Sequence, residues 1–293
     1  AVEAGVDAVK FQTFKASQHV SKYAEMPKYL KGYNDIHDLI KTLELNRDWQ
    51  KSLKEYAEKR GIIFFSSPCD DDAVNSLEAI DVPAHKVASF DLPDLLSTGL
   101  ANWMEIQRAV DVCREEGNNK IVLFQCTSLY PAPIKLSNLK AMQIMKQAFN
   151  VTTGYSDHTI GDTIAVAAVA MGASVIEKHF TLDNKLPGPD HSFAIEPVQL
   201  KLMMQKIREV ESAMGDGVKN GPRIEEQDMY LKIRRSLHAK NDIAEGQVIT
   251  EEFLVTKRPG FGVEPYLKKT LLGKVARVNI KADQWIDWTM VES

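Results

Sequence analysis

Long apolar runs are missing from this chain: no stretch approaches the ~18 consecutive apolar residues that a membrane-spanning helix needs, so no membrane partner is expected. An excess of positive charge is missing too. Lysine and arginine number 36 against 40 aspartates and glutamates, a formal net charge of −4, which offers no general attraction for nucleic acid. Any anion must then be held by local groups. Cysteine is scarce: Cys69, Cys113 and Cys126 stand at wide spacings that make neither a disulfide framework nor a zinc motif, and a reducing, cytoplasmic setting is expected. No repeat and no low-complexity tract is found. An initiating methionine is also lacking, for "AVEAGVDAVKF" reads as the end of a helix, then Gly5, then a strand. The chain is read as lacking its front, and no secretory leader is visible.

What is present is a regular alternation. With 293 residues, 44% of them hydrophobic and 26% charged, the chain can hold one large domain and a small one, or an α/β barrel with an appendage. Short apolar or β-branched runs at 8–13, 62–66, 84–88, 95–98, 121–126, 151–155 and 174–177 are each expected to be strands. Helical periodicity falls between them at 47–60, 101–116, 136–148, 162–171 and 197–214. Seven strand-like runs behind the tail of a helix point to a (β/α)8 TIM barrel whose first strand is missing, with a doubly wound open sheet as the competitor. One step breaks the rhythm. "SFDLPDLLSTGL" leaves no room for a crossover helix between two strands, although parallel neighbours normally need about a dozen residues between them; either residues are missing there or one strand assignment is wrong. The Gly- and charge-rich "GDGVKNGPRIEEQDM" reads as a linker. The expected domains are therefore 1–214, a linker at 215–233, and a small β-rich module at 234–293 with short pieces at 236–239, 247–249, 254–258 and 274–276.

In barrels the working groups sit at the C-terminal ends of strands. Those ends carry Lys10, Gln12 and Thr13; Ser66 and Ser67; Lys86 and Ser89; Ser97 and Thr98; Thr127, Ser128 and Tyr130; Ser156, Asp157 and His158; and Lys178 with His179. A lysine inside an apolar strand such as "AVKFQTF" is costly unless its charge is paired, which makes an anion the natural partner. Hydroxyls from several strands complete a phosphate cradle. The alternative is that Lys10 and Lys86 pair with carboxylates in the barrel mouth. His158 and His179 follow consecutive strands and suit a divalent metal held through neutral imidazoles, with water or substrate filling the other positions; hydrogen-bonded structural histidines are the rival. His191 is read as a loop residue. Asp190 is placed to meet a polyol.

The segments "DAVKFQT", "PAHKVASFD", "CTSLYPAP", "GYSDHT", "IEKHFT", "PGPDHSF" and "KRPGFG", in this order over nearly the whole chain, resemble the sialic acid synthase family, the bacterial N-acetylneuraminate, legionaminate and pseudaminate synthases. That resemblance implies a barrel joined to a C-terminal antifreeze-like SAF domain, working as a domain-swapped homodimer. It implies condensation of phosphoenolpyruvate with an open-chain N-acetylated hexose, an N-acylated amino sugar of the N-acetylmannosamine type, to a nine-carbon 2-keto acid and phosphate. By motif position, Lys10, Gln12, Ser67, Lys86, Ser89, Ser97, Ser128 and Ser156 would hold phosphoenolpyruvate, and His158 and His179 a manganese ion, Mg2+ or Co2+ being the other options. Tyr130 and Asp190 would meet the sugar and take part in catalysis, and Arg258 would reach its acyl group from the partner subunit. Asp91 would be the general base or acid. It departs from the family, where a glutamate follows "SG" and here "SFD" stands instead. Two rivals are a metal-dependent aldolase-type or deoxy-sugar phosphate synthase, which expects further basic residues at the mouth, and a non-catalytic carbohydrate- or ice-binding protein, which needs neither lysines nor histidines.

Overall fold

The computed structural model describes residues 1–27, 30, 33, 35–88 and 95–292. They form two compact units, Ala1–Asp216 and Gly217–Ser293. In the first unit the strands are β1 (Ala8–Thr13), β2 (Ile63–Pro68), β3 (Lys86–Val87), β4 (Leu95–Ser97), β5 (Val122–Cys126), β6 (Thr152–Asp157) and β7 (Val175–Lys178). The helices are α1 (Ala16–His19), α2 (Ile36–Thr42), α3 (Trp49–Lys59), α4 (Asp71–Glu78), α5 (Trp103–Glu115), α6 (Lys140–Phe149), α7 (Thr163–Ala170) and α8 (Pro197–Met214).

Every pairing among these strands is parallel and follows chain order. A single parallel bridge, Ser66 to His85, joins the β1–β2 pair to the five-stranded series β3 to β7. The expected strands on both sides of the broken rhythm are present, and β3 pairs with β4 through Lys86–Leu95 and Val87–Leu96. Both strand assignments therefore hold.

The sheet is curled. Flat, it would separate β1 from β7 by six strand spacings, about 29 Å. Instead the Lys10 ammonium on β1 lies 3.5 Å from the Glu177 carboxylate on β7. Four apolar clusters sit outside the curl, between strands and helices: Phe64 with Ala57 and Leu77, Leu96 and Leu123 with α5 and α6, Tyr155 with Met142 and Ala168, and α7 with α8. Leu77, Leu96 and Leu123 are completely buried, worth about 1.5–3 kcal/mol each. The helices begin where local chemistry dictates. Asn102 and Glu105 form a capping box at α5, Asp70 accepts the Ala73 N–H at α4, and Pro197 occupies the first turn of α8, where no intrahelical N–H bond is lost.

In the second unit β8 (Ser236–Ala239) pairs antiparallel with β9 (Leu254–Lys257). Bridges at His238–Trp285, Ile243–Ile280, Val248–Val275 and Ala276–Val291 close a small β-rich body over a core that includes Leu237, Ile243, Ile249, Leu271, Ile280 and Ile286. It also carries α9 (Gln227–Ile233), within the stretch read as a linker, and α10 (Lys268–Leu271). The Gly260 N–H donates to Leu231 O at the end of α9.

Candidate active site

The two-residue alternation of strands decides which groups meet. In the β6–β7 register Ser156 lies opposite Glu177, and Asp157 opposite Lys178. Tyr155 packs into the helix layer with Ile164 and Ala168, so Ser156 and Glu177 face the inside of the curl while Asp157 and Lys178 face outward. The same rule puts Lys10 inside on β1, because Val9 and Phe11 pack outward against Phe64 and Leu77. Gly154 is required by close approach. A Cβ there would lie 2.6 Å from Val175 O and 2.9 Å from the Phe124 ring.

On the inner face Glu177 is the centre. Its Oε1 accepts from Lys86 Nζ at 2.8 Å and from the Ser156 hydroxyl at 2.7 Å, and its Oε2 lies 3.5 Å from Lys10 Nζ. Lys10 also reaches Ser67 Oγ at 3.4 Å. Lys86 lies 5.0 Å over the Phe124 ring, a favourable cation–π contact. Burial alone would raise the Glu177 pKa, but the charges of Lys10 and Lys86 and the hydrogen bonds from Lys86 and Ser156 hold it well below the ordinary carboxylate range. Burial draws the Lys86 pKa down, against the pull of Glu177. The pairing of both lysines with a carboxylate, the alternative the sequence left open, is what the structure shows. Glu177 itself was not singled out, although the cost of a charge in an apolar strand applies to "SVIEKHF" as it does to "AVKFQTF".

Two residues beyond Ser156 and Glu177 stand His158 and His179, their ring centroids 5.2 Å apart. His158 is buried, and its Nδ1 lies 2.8 Å from Thr127 O. A carbonyl oxygen can only accept, so Nδ1 carries the proton and Nε2 is left with its lone pair. The backbone fixes the same contact from the other side, with Ala132 N–H donating to His158 O. Burial pushes the His158 pKa down to about 4, leaving the ring neutral near pH 7. His179 Nδ1 lies 3.3 Å from Asp190 Oδ2, and the carboxylate selects the same tautomer. Two imidazoles, each anchored through Nδ1 by an oxygen, are a donor pair that could hold a divalent metal, with Asp190 as the carboxylate behind one of them. Tyr130 packs on His158 at 4.3 Å, and Phe193 on His179 at 5.1 Å, so aromatic rings wall both.

The other expected residues divide. Ser97 is buried on β4, in register with Phe124. Ser128 follows β5 with its Oγ buried and without a hydrogen-bond partner among the described residues, a donor free for an anion. Gln12 is exposed, on the face of β1 that carries Lys10. Ser89 and Asp91 lie outside the described residues. Asp190 contacts His179 and its side chain is half exposed. Lys178 does not join the inner lysines: it donates to Asp157 Oδ2 and Thr159 O, each at 2.7 Å, on the outer face. His191, read as a loop residue, instead opens a single 3-10 turn, His191–Phe193, with its Nδ1 2.7 Å from Thr181 Oγ1. In the second unit Arg258 and Phe261 are exposed. Gly260 and Gly262 let this turn lie flat, for a Cβ on them would meet Arg234 at 2.7 Å and Ile286 O at 2.5 Å.

A model of the NeuB family matches residues 1–219, and one of the SAF domain matches residues 234–292. The N,N'-diacetyllegionaminic acid synthase of Campylobacter jejuni is 41% identical over 98% of this chain and 91% of its own length. A pseudaminic acid synthase of the same species is 35% identical, over 96% and 87%. The crystal structure of an N-acetylneuraminic acid synthetase from Leptospira borgpetersenii superposes with a TM-score of 0.69 at 31% identity, covering 78% of this chain and 81% of that one. With its parallel curl, its inner lysines and its paired imidazoles, the chain belongs to the NeuB family of nonulosonic acid synthases and carries a SAF domain behind the α/β unit.

Proposed function

We propose that the protein condenses phosphoenolpyruvate with the open-chain aldehyde of an N-acetylated hexose, releasing phosphate and a nonulosonic acid. The observation that carries this reading is the gathering of Lys10 from β1 and Lys86 from β3 around Glu177 on the inner face, with His158 and His179 paired just past the C-terminal ends of β6 and β7, where ligands of parallel α/β sheets bind. Lys10 and Lys86 bind the phosphate and carboxylate, and the hydroxyls of Ser67, Ser89, Ser97, Ser128 and Ser156, with Gln12, orient them. His158 and His179 would hold a divalent ion, Mn2+ in this reading, which would supply Lewis-acid polarisation of an aldehyde oxygen. The methylene carbon of phosphoenolpyruvate forms the new C–C bond to the aldehyde carbon as the C=O π pair moves to its oxygen, which takes up a proton to become the new hydroxyl. Water adds at the electron-poor enol carbon, its proton going to a base, Asp91, and phosphate departs with C–O cleavage to leave the 2-keto acid. Tyr130 packs along the sugar, and Asp190 steadies His179.

The finer architecture belongs to the same proposal: the curl is seven strands of an eight-stranded barrel, the chain works in the cytoplasm, and Arg258 of a partner subunit completes the sugar site in a swapped homodimer. A planar guanidinium suits that task, since it bonds an amide carbonyl while stacking on a sugar face. The 41% identity to the diacetyllegionaminic relative favours a sugar with two acetamido groups. The test is phosphate release from phosphoenolpyruvate with N-acetylmannosamine and diacetamido sugars, with Mn2+ or with chelator. Release is expected only with sugar and metal together. Release without sugar, or full activity under chelation, would remove the mechanism.

A further inference from the structure

The condensation leaves one group on the inner face without a role. Glu177 bridges two ammonium groups, one carboxylate oxygen to each, and a phosphate oxygen pair offers the same arrangement. The two contacts are unequal: Lys86 is hydrogen-bonded at 2.8 Å, whereas Lys10 stands at 3.5 Å and is the looser of the two. Without Glu177, the buried Lys86 ammonium beside the Phe124 ring would face the Lys10 charge uncompensated, and burial with a like charge drives its proton off. Among the described residues the groups facing Lys86 are Lys10 from β1, the Cys126 thiol from β5, the Ser156 hydroxyl with His158 beyond it from β6, and Glu177 from β7. Of these, Glu177 is the charge that keeps Lys86 protonated.

We propose that Glu177 is a positioning residue: a resident counter-ion that holds Lys10 and Lys86 spaced on the inner face, keeps Lys86 charged, and yields their N–H bonds to an incoming phosphate or carboxylate. The inference rests on the condensation reading only for the identity of that anion. It is distinct from a structural salt bridge, because its effect on anion affinity must change with pH. Removing the carboxylate removes a competitor while Lys86 stays protonated, and removes the support of its charge once alkaline conditions draw the proton away.

The experiment is calorimetric titration of the full chain with inorganic phosphate and, separately, with phosphoenolpyruvate, between about pH 6.5 and 9. The ratio of variant to native Kd at each pH cancels the titration of the phosphate itself. For Glu177→Gln the ratio is expected at or below one at the acid end, rising at least about tenfold towards the alkaline end. Glu177→Asp, with a shorter reach, should show a smaller rise and serves if the glutamine variant does not fold. The double variant Glu177→Gln, Lys86→Arg should flatten the rise, since a guanidinium keeps its charge throughout. A ratio independent of pH in the single variants, a rise that persists in the double variant, or a native chain that binds neither anion overturns the inference. Native binding of both anions with the expected ratios, but no phosphate release with any sugar, would count against the condensation and uphold the counter-ion.

Discussion

At the scale of single residues, the site depends on tautomers. Thr127 O and Asp190 Oδ2 each lie against the Nδ1 of one histidine, placed to accept its N–H, which leaves Nε2 as the atom each ring could offer to a metal. His158→Ala and His179→Ala should each abolish metal-dependent turnover, and circular dichroism of the variants should match the native chain. A wild-type rate in either would remove the metal assignment. Asp190→Asn separates two roles. As the carboxylate behind His179 it should weaken metal affinity about 10–100-fold, read by metal titration. Unchanged metal affinity with a raised KM for the sugar would instead make Asp190 a sugar-contacting residue.

At the scale of elements, register is the controlling fact. Lys178 and Asp157 are paired across β6 and β7 with side chains 4% and 0% exposed. Lys178→Met leaves a buried carboxylate without its partner and should cost about 3–5 kcal/mol in urea unfolding. Adding Asp157→Asn should recover much of that loss, because the Asn side chain can still accept the Thr159 N–H that Asp157 accepts. Equal losses in single and double variants would mean that the pair contributes nothing beyond packing. Gly154→Ala pushes a methyl into Val175 O and Phe124. It should destabilise by about 1–3 kcal/mol and weaken phosphate binding by moving β7, which carries Glu177. The strands were readable because their runs are short, apolar and bounded: β1 and α8 coincide with the residues their patterns marked. The short helices α1, α2 and α4 were not. The four residues of α1 and the seven of α2 hold too few turns for a period, and at α4 the start signal, Asp70 ahead of Asp71 and Asp72, was available. Lys10, Lys86 and the two histidines were legible as costly or reactive groups in apolar strands. Glu177 and the outward turn of Lys178 were not, because one residue of register exchanges the two faces and periodicity in one strand does not reveal its partner's register.

At the scale of the whole molecule, the question is where the sugar's last contact comes from. Arg258 is exposed on the second unit, in a turn that Gly260 and Gly262 hold flat, and the proposal places it in a partner's site. This can be tested by complementation. Lys86→Ala spoils the anion cradle and Arg258→Ala the sugar contact, so each homodimer should be inactive with a different signature: lost anion affinity in the first, a raised sugar KM in the second. When the two are unfolded together and refolded at equal amounts, about half of the dimers should be mixed. If the arginine acts across the dimer, one of the two sites in each mixed dimer joins an intact cradle to an intact Arg258. Activity should then return to about a quarter of native. If the arginine acts within its own chain, every site in every dimer carries one defect and no activity returns. Recovery with a native sugar KM therefore identifies the swap by its chemistry, and a mixture as inactive as its parents rules it out.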